Sequence, residues 1–208
     1  MIKNYHYGFS EGCELEKPIL QEFQNYRKIN TCEVIDNRIY FYSEIEREDI
    51  LRLNRELRDI SNRMVTRCIN EGIDVENQRI WLHINSYGGG IFTGLSAMDE
   101  ILRCKVPVYT IIDGCCASAA TFLSVAGKKR FINENAFILI HQISSIFWGK
   151  YNEFQDEKQN LDKLMSVIKN IYTKYTKIPE KDLDELLKHD LWYNAKEAIE
   201  FGLVDEIL

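Results

Sequence analysis

A serine among very small residues, and a histidine at the end of an apolar run 23 residues later, are the side chains here best suited to covalent chemistry. Ser118 lies in Gly114-Cys-Cys-Ala-Ser-Ala-Ala, just after the strand-like Val108-Tyr-Thr-Ile-Ile, and His141 closes Phe137-Ile-Leu-Ile-His. Small neighbours leave a hydroxyl open to an incoming carbonyl, and a base within hydrogen-bond reach activates it. A helix beginning at the serine adds free amides and partial positive charge, both favourable to an oxyanion. Each residue also has a plainer reading. Ser118 fits an N-cap or a small packing position, and His141 a structural histidine at a strand end. Only a third group that orients the imidazole favours catalysis.

Gly88-Gly89-Gly90 lies between a strand-like and a helix-like segment but fits neither a P-loop nor a dinucleotide fingerprint. It reads as a plain turn, or as bare backbone that turns an amide into a cleft. Oxyanion donors of that kind are each worth about 2.7–4 kcal/mol of barrier. Spacing alone does not select an orienting acid among 32 acidic residues. Asp156, Glu157 and Asp182 read as solvated helix-face residues. Asp190 is favoured because it precedes Leu191 and Trp192, where burial against a histidine is expected.

The elements that must position these groups follow from periodicity. Alternation predicts strands over 38–43, 79–84, 107–112, 129–132, 136–140 and 204–207. Apolar residues every three or four positions (Ile50, Leu53, Leu57, Ile60, Met64, Cys68) predict a long helix over 46–72 with acid in its first turn. Further helices are predicted through Leu95–Leu102, Ser118–Ala126 and 152–174, and one opened by Pro179. Asn194 with Glu197 three residues on reads as a capping box for the last helix, which Gly202 ends. Strand and helix alternating over 38–140 indicate an α/β domain with largely parallel strands and right-handed crossovers. Residues 1–31, polar and weakly patterned, read as an N-terminal arm, and 32–208 as a single domain.

Composition narrows the function. A chain of 208 residues with 45% hydrophobic and 28% charged side chains suits one soluble domain with a substantial core. A net charge of −6 without a basic run argues against nucleic-acid binding. The N-terminus has no apolar signal-like region, and no run approaches the roughly 18 apolar residues of a membrane span. The six cysteines show no CxxC pair or zinc-type spacing. They read as reduced thiols, so a cytoplasmic or organelle-stroma location is expected.

Several motifs in one order resemble the Clp protease proteolytic subunit (ClpP) family, serine peptidases of ATP-dependent protein quality control. The resemblance runs from about Arg38 to Leu208. It includes Ile84-Asn-Ser-Tyr-Gly-Gly-Gly90, Gly114-Cys-Cys-Ala-Ser118, Leu139-Ile-His-Gln142 and Ala195-Lys-Glu-Ala-Ile-Glu-Phe-Gly-Leu-Val-Asp205. It implies Ser118 as nucleophile, His141 as base, Asp190 as orienting acid, and the amides of Gly89 and Ala119 as oxyanion donors. It also implies a crotonase-like fold of stacked β-α-β units with a projecting helical handle at about 143–175. No metal or organic cofactor is implied in the subunit; a hexameric Clp-type ATPase partner uses ATP to feed unfolded polypeptide. The expected assembly is a heptameric homo-oligomeric ring, single or stacked in pairs, with no nucleic-acid or membrane partner.

Departures from the family pattern bear on partners rather than on the triad. Tyr87 stands for a proline, and Ser144-Ser-Ile-Phe-Trp-Gly149 lacks most of the family's glycines. His189 replaces an arginine of the ring-to-ring contact, and Trp81 and His83 replace tyrosines displayed to the ATPase. The N-terminal arm lacks the axial-loop sequence, and the helix over 46–72 is longer than usual. Three rivals remain: a peptidase with a lysine base (Lys128 or Lys129), a crotonase-type acyl-CoA enzyme, and a catalytically inactive structural ring subunit.

Overall fold

A computed structural model describes residues 31–208, which open with a hairpin of β1 (Thr31–Ile35) and β2 (Arg38–Tyr42). Asp36, at φ 55°, makes the two-residue turn, a conformation that Asp tolerates better than most residues. Helix α1 (Arg47–Glu71), strand β3 (Ile80–Ser86), helix α2 (Ile91–Arg103) and strand β4 (Val108–Ala117) follow. Then come α3 (Ala120–Val125), β5 (Lys129–Ile132), β6 (Phe137–Leu139) and the long α4 (Tyr151–Tyr175). The chain finishes with α5 (Glu180–Leu186), β7 (Trp192–Asn194), α6 (Ala195–Glu200) and β8 (Glu206–Ile207).

Alternation decides which face of the sheet is core. On β3, Ile80, Leu82 and Ile84 are buried while Trp81, His83 and Asn85 stand half-exposed on the other face. The buried set packs with Leu53, Leu57 and Ile60 of α1, Met98 and Ile101 of α2, and Leu123 of α3. Burying each such side chain contributes roughly 1.5–3 kcal/mol, so this layer is the main source of stability. The α1 stripe inferred from periodicity is the buried face found here, from Ile50 to Cys68.

The sheet runs β1-β2-β3-β4-β5-β8, parallel except for the first hairpin. Strand β4 serves two neighbours. Its first half, Tyr109–Ile112, pairs with β5, and its end, Cys115–Ala117, pairs with β6. Gly114, at φ 84°, makes the bend between the halves, and the β3–β4 register shifts beside it. The strand therefore continues past the turn expected at Gly114 and ends at the serine. The helix expected from Ser118 begins at Ala120, with Ala119 as its N-cap. Two strands had no clear signal: β1, which takes in the last residue assigned to the arm, and the three-residue β7, paired antiparallel to β6. The capping box at Asn194 is present, its side chain accepting from the Lys196 and Glu197 amides.

Residues 143–150 have no regular structure, and α4 then projects a largely exposed first half. Ile146 and Trp148 at its base are almost fully exposed; only from Ile168 onward does α4 contribute buried residues. The remainder of the N-terminal arm, Cys13 and the axial-loop comparison lie outside the described residues. No helix among the described residues is long and apolar enough to cross a membrane.

Candidate active site

Ser118 sits at φ 55°, a left-handed conformation that non-glycine residues rarely adopt. Such a backbone costs roughly 1–3 kcal/mol and persists where the surroundings enforce it. Three contacts do so. The Ser118 amide donates to Leu139 O at 2.9 Å, extending the β4–β6 pairing by one step. Its carbonyl accepts from the Thr121 hydroxyl at 2.6 Å. Gly88 presses against the turn from the other side, where an added Cβ would lie 2.7 Å from both Ala117 O and Ser118 Cβ. Because Ala119 takes the N-cap position without a side-chain cap bond, Ser118 is not the N-cap that the plainer reading allowed.

Two strand registers deliver the other side chains. The parallel register Cys115↔Phe137, Cys116↔Ile138, Ala117↔Leu139 leads β4 to Ser118 and β6 to His141, and both line one cavity of about 320 Å³. The antiparallel register Phe137↔Asn194, Ile138↔Tyr193, Leu139↔Trp192, carried two steps further, sets His141 opposite Asp190. The Gln142 amide donates to Leu187 O at 2.6 Å, which ties the histidine strand to the segment carrying the acid. His141 Nδ1 and Asp190 Oδ1 are 3.7 Å apart, an ion-pair contact rather than a short hydrogen bond.

Burial at Asp190 differs from expectation. Its side chain is 59% exposed, against 22% for His141. The reason is local: Leu191 and Trp192, taken as a burying flank, are themselves exposed at the end of a short edge pairing.

The glycine turn leaves one amide uncommitted. The Gly88 N–H donates to Ser86 Oγ at 3.2 Å and the Gly90 N–H to Ile45 O at 3.0 Å. Among the described residues this leaves Gly89 N–H without an acceptor, and Ala119 N–H likewise. Both residues line the cavity. A side chain at Gly89 would meet Ile45 O at 2.7 Å, so the bare backbone is sterically required. Tyr87, the departure before these glycines, lays its ring edge-on to Trp192 at 6.3 Å and so joins the turn to β7.

The rest of the cavity wall is apolar, built from Phe122 of α3 and Leu161, Leu164 and Ile168 of α4. Glu157, read from sequence as a solvated face residue, also lines it and is half-buried. Helical spacing held the clue, since 157, 161, 164 and 168 share one face. Trp81 and His83 lie away from this cavity, on the sheet face opposite Ile80, Leu82 and Ile84. There the Arg38 guanidinium donates to His83 Nε2 at 3.0 Å, and Nδ1–H donates to Asp113 Oδ2 at 2.7 Å. His189 is exposed and pairs with Glu185 at 3.3 Å. The five described cysteines are free, and no cluster of His, Cys, Asp or Glu among the described residues is placed to hold a metal.

Comparison with known proteins adds to this geometry. Residues 35–208 match the family model described as Clp protease. Among curated proteins, an ATP-dependent Clp protease proteolytic subunit of Epifagus virginiana is 33% identical over 168 residues, covering 79% of this chain and 86% of that protein. The chloroplastic ATP-dependent Clp protease proteolytic subunit 1 of Arabidopsis thaliana is 32% identical with the same coverage. Among solved structures, a variant of ClpP1 from Listeria monocytogenes superposes with a TM-score of 0.71 at 23% identity. It covers 83% of this chain and 91% of that one, a likeness of fold, as the sequence resemblance implied.

Proposed function

The chain belongs to the Clp protease family, and from that premise we propose that it is a serine endopeptidase acting through an acyl-enzyme. The Ser118 hydroxyl attacks a peptide carbonyl as His141 takes its proton. The tetrahedral oxyanion rests on the Gly89 and Ala119 amides. His141 returns the proton to the leaving amine, and water then releases the acyl group by the reverse sequence. Asp190 holds the ring orientation and stabilises the imidazolium. The chemistry proposed uses side chains and backbone amides alone, without a metal or organic cofactor.

The observation that carries this reading is the pair of registers meeting on β6. One leads to the serine turn and the other to the acid, with two free amides in the same cavity. Ser118 also holds the strained backbone that exposes a nucleophile at a sharp turn.

The proposed substrates are unfolded polypeptides, supplied by an ATPase partner of the Clp type that consumes ATP. The proposed assembly is a heptameric homo-oligomeric ring, alone or stacked in pairs. The exposed apolar base of the handle, Ile146 and Trp148, supports burial against another subunit. The proposed location is the cytoplasm or an organelle stroma, in keeping with the chloroplastic relative.

Digestion of an unfolded polypeptide tests the reading, with products identified by mass spectrometry. The wild-type chain is expected to cut it, and Ser118→Ala to fold normally while cutting nothing. Retained cleavage in that variant rejects the assigned nucleophile.

A further inference from the structure

Among the residues that line the Ser118 cavity, Glu157 is the single carboxylate, and none is a lysine or arginine. It sits at one end of a stripe on α4 that continues through Leu161, Leu164 and Ile168. The opposite end of the stripe is the nucleophile's end. There Tyr172 meets Thr121 at 2.7 Å and packs its ring against Phe122 at 6.3 Å. Glu157 is half-buried, whereas its neighbours on the projecting part of α4 are exposed. Its hydrogen-bond partner among the described residues is the Ser145 hydroxyl, at 3.4 Å, a neutral group that leaves the negative charge unbalanced.

A carboxylate at the end of an apolar groove suits a side chain with an apolar stem and a cationic head. Distance decides which substrate residue carries it. Positions 157 and 168 are eleven residues apart, about 16 Å along the helix. That is too far for the side chain at the cleaved bond to reach. Extended peptide advances about 3.3 Å per residue, with one face repeating every second residue. A lysine or arginine two to four residues from the bond covers the span once its own stem is included.

We propose that Glu157 is a specificity-determining residue that selects substrate segments carrying a lysine or arginine two to four residues from the cleaved bond on one side. This rests on the peptidase reading above and names the substrate class of that same site. The pair is partly solvated, so it shifts preference several-fold rather than absolutely, and salt weakens it.

The test uses internally quenched peptides that differ only in carrying Lys or Glu at one position, two to four residues on either side of a central leucine. For the wild-type chain, kcat/KM is expected to be about three- to tenfold higher with Lys than with Glu on one side. That ratio is expected to fall to about one in Glu157→Gln and to invert in Glu157→Lys. A ratio that stays unchanged in Glu157→Gln, or a ratio of about one when the wild type cleaves both peptides, overturns the proposal. Fluorescence anisotropy of the same peptides on Ser118→Ala, with and without Glu157→Gln, separates the two levels. A Lys preference in binding that needs Glu157, without cleavage by the wild type, leaves the inference standing and sinks the peptidase reading. Cleavage and binding without any preference do the reverse.

Discussion

The buried Tyr172 hydroxyl lies 2.7 Å from Thr121 Oγ1. The threonine's own hydrogen goes to the Ser118 carbonyl at 2.6 Å, so Tyr172 is the donor. A residue near the end of the handle helix therefore braces the backbone of the serine turn. Burial also pushes the phenol up, which keeps it a donor across the working pH range.

Tyr172→Phe tests that brace. The lost bond is worth about 0.5–1.5 kcal/mol, so Tm is expected to fall by roughly 2–5 °C for a domain of this size. The rate of Ser118 acylation is expected to fall more than the change in fold stability alone explains. Calorimetry and acylation rates that both match the wild type contradict the link.

Gly88→Ala is expected to abolish activity. Its Cβ would sit 2.7 Å from Ala117 O and Ser118 Cβ, and both are backbone-anchored atoms that cannot swing aside. The turn must shift, carrying the Gly89 amide with it. Since one oxyanion donor contributes about 2.7–4 kcal/mol, a loss of at least a hundredfold in kcat is expected. Near wild-type turnover contradicts the assigned turn geometry.

Asp190→Asn is expected to cost less than in enzymes whose orienting acid is buried. With a 3.7 Å separation and 59% side-chain exposure, solvent screens the pair. A fall of about 10- to 100-fold in kcat is expected, against the roughly 10⁴-fold known for a buried triad acid. A 10⁴-fold loss shows instead that the contact closes when substrate binds.

Thiol reactivity follows from burial. The Cys115 thiol is pushed up to about 11, chiefly by burial, with Tyr87 pulling the other way and Glu44 adding to the rise. Cys104, also through burial, reaches about 11. A raised value means less thiolate near neutrality than an exposed cysteine carries, so alkylation is expected to be slow at pH 7.5 and to accelerate through pH 10. Peptide mapping after iodoacetamide at several pH values checks this. Rapid modification of Cys115 at pH 7.5 contradicts its burial.

Much of the layer architecture was legible in sequence because period sets burial. The α1 stripe and the β3 alternation each place apolar side chains on the face that is buried. Ser118 and His141 stood out in sequence as candidates because very small residues surround the one and an apolar run ends at the other. Asp190 was favoured in sequence for a burial beside Leu191 and Trp192 that the structure does not give it. Its position depends on β7, three residues long and without a period of its own, whose partner is fixed only by pairing with β6. The strained turn at Ser118 was hidden as well, because local propensity predicts a helix there. The Leu139 carbonyl, the Thr121 hydroxyl and the packing of Gly88, all contacts from beyond the serine itself, hold it in its left-handed conformation. Glu157 escaped because a charge on a helix usually faces water, and the cavity beside it forms only when α3 and α4 meet.

The convergence of Ser118 and His141 is tested most directly by a fluorophosphonate probe, with the adduct mapped by mass spectrometry. A single adduct on Ser118 is expected, absent in Ser118→Ala and at least a hundredfold slower to form in His141→Ala. An adduct on another residue, or labelling at an undiminished rate without the histidine, contradicts the account.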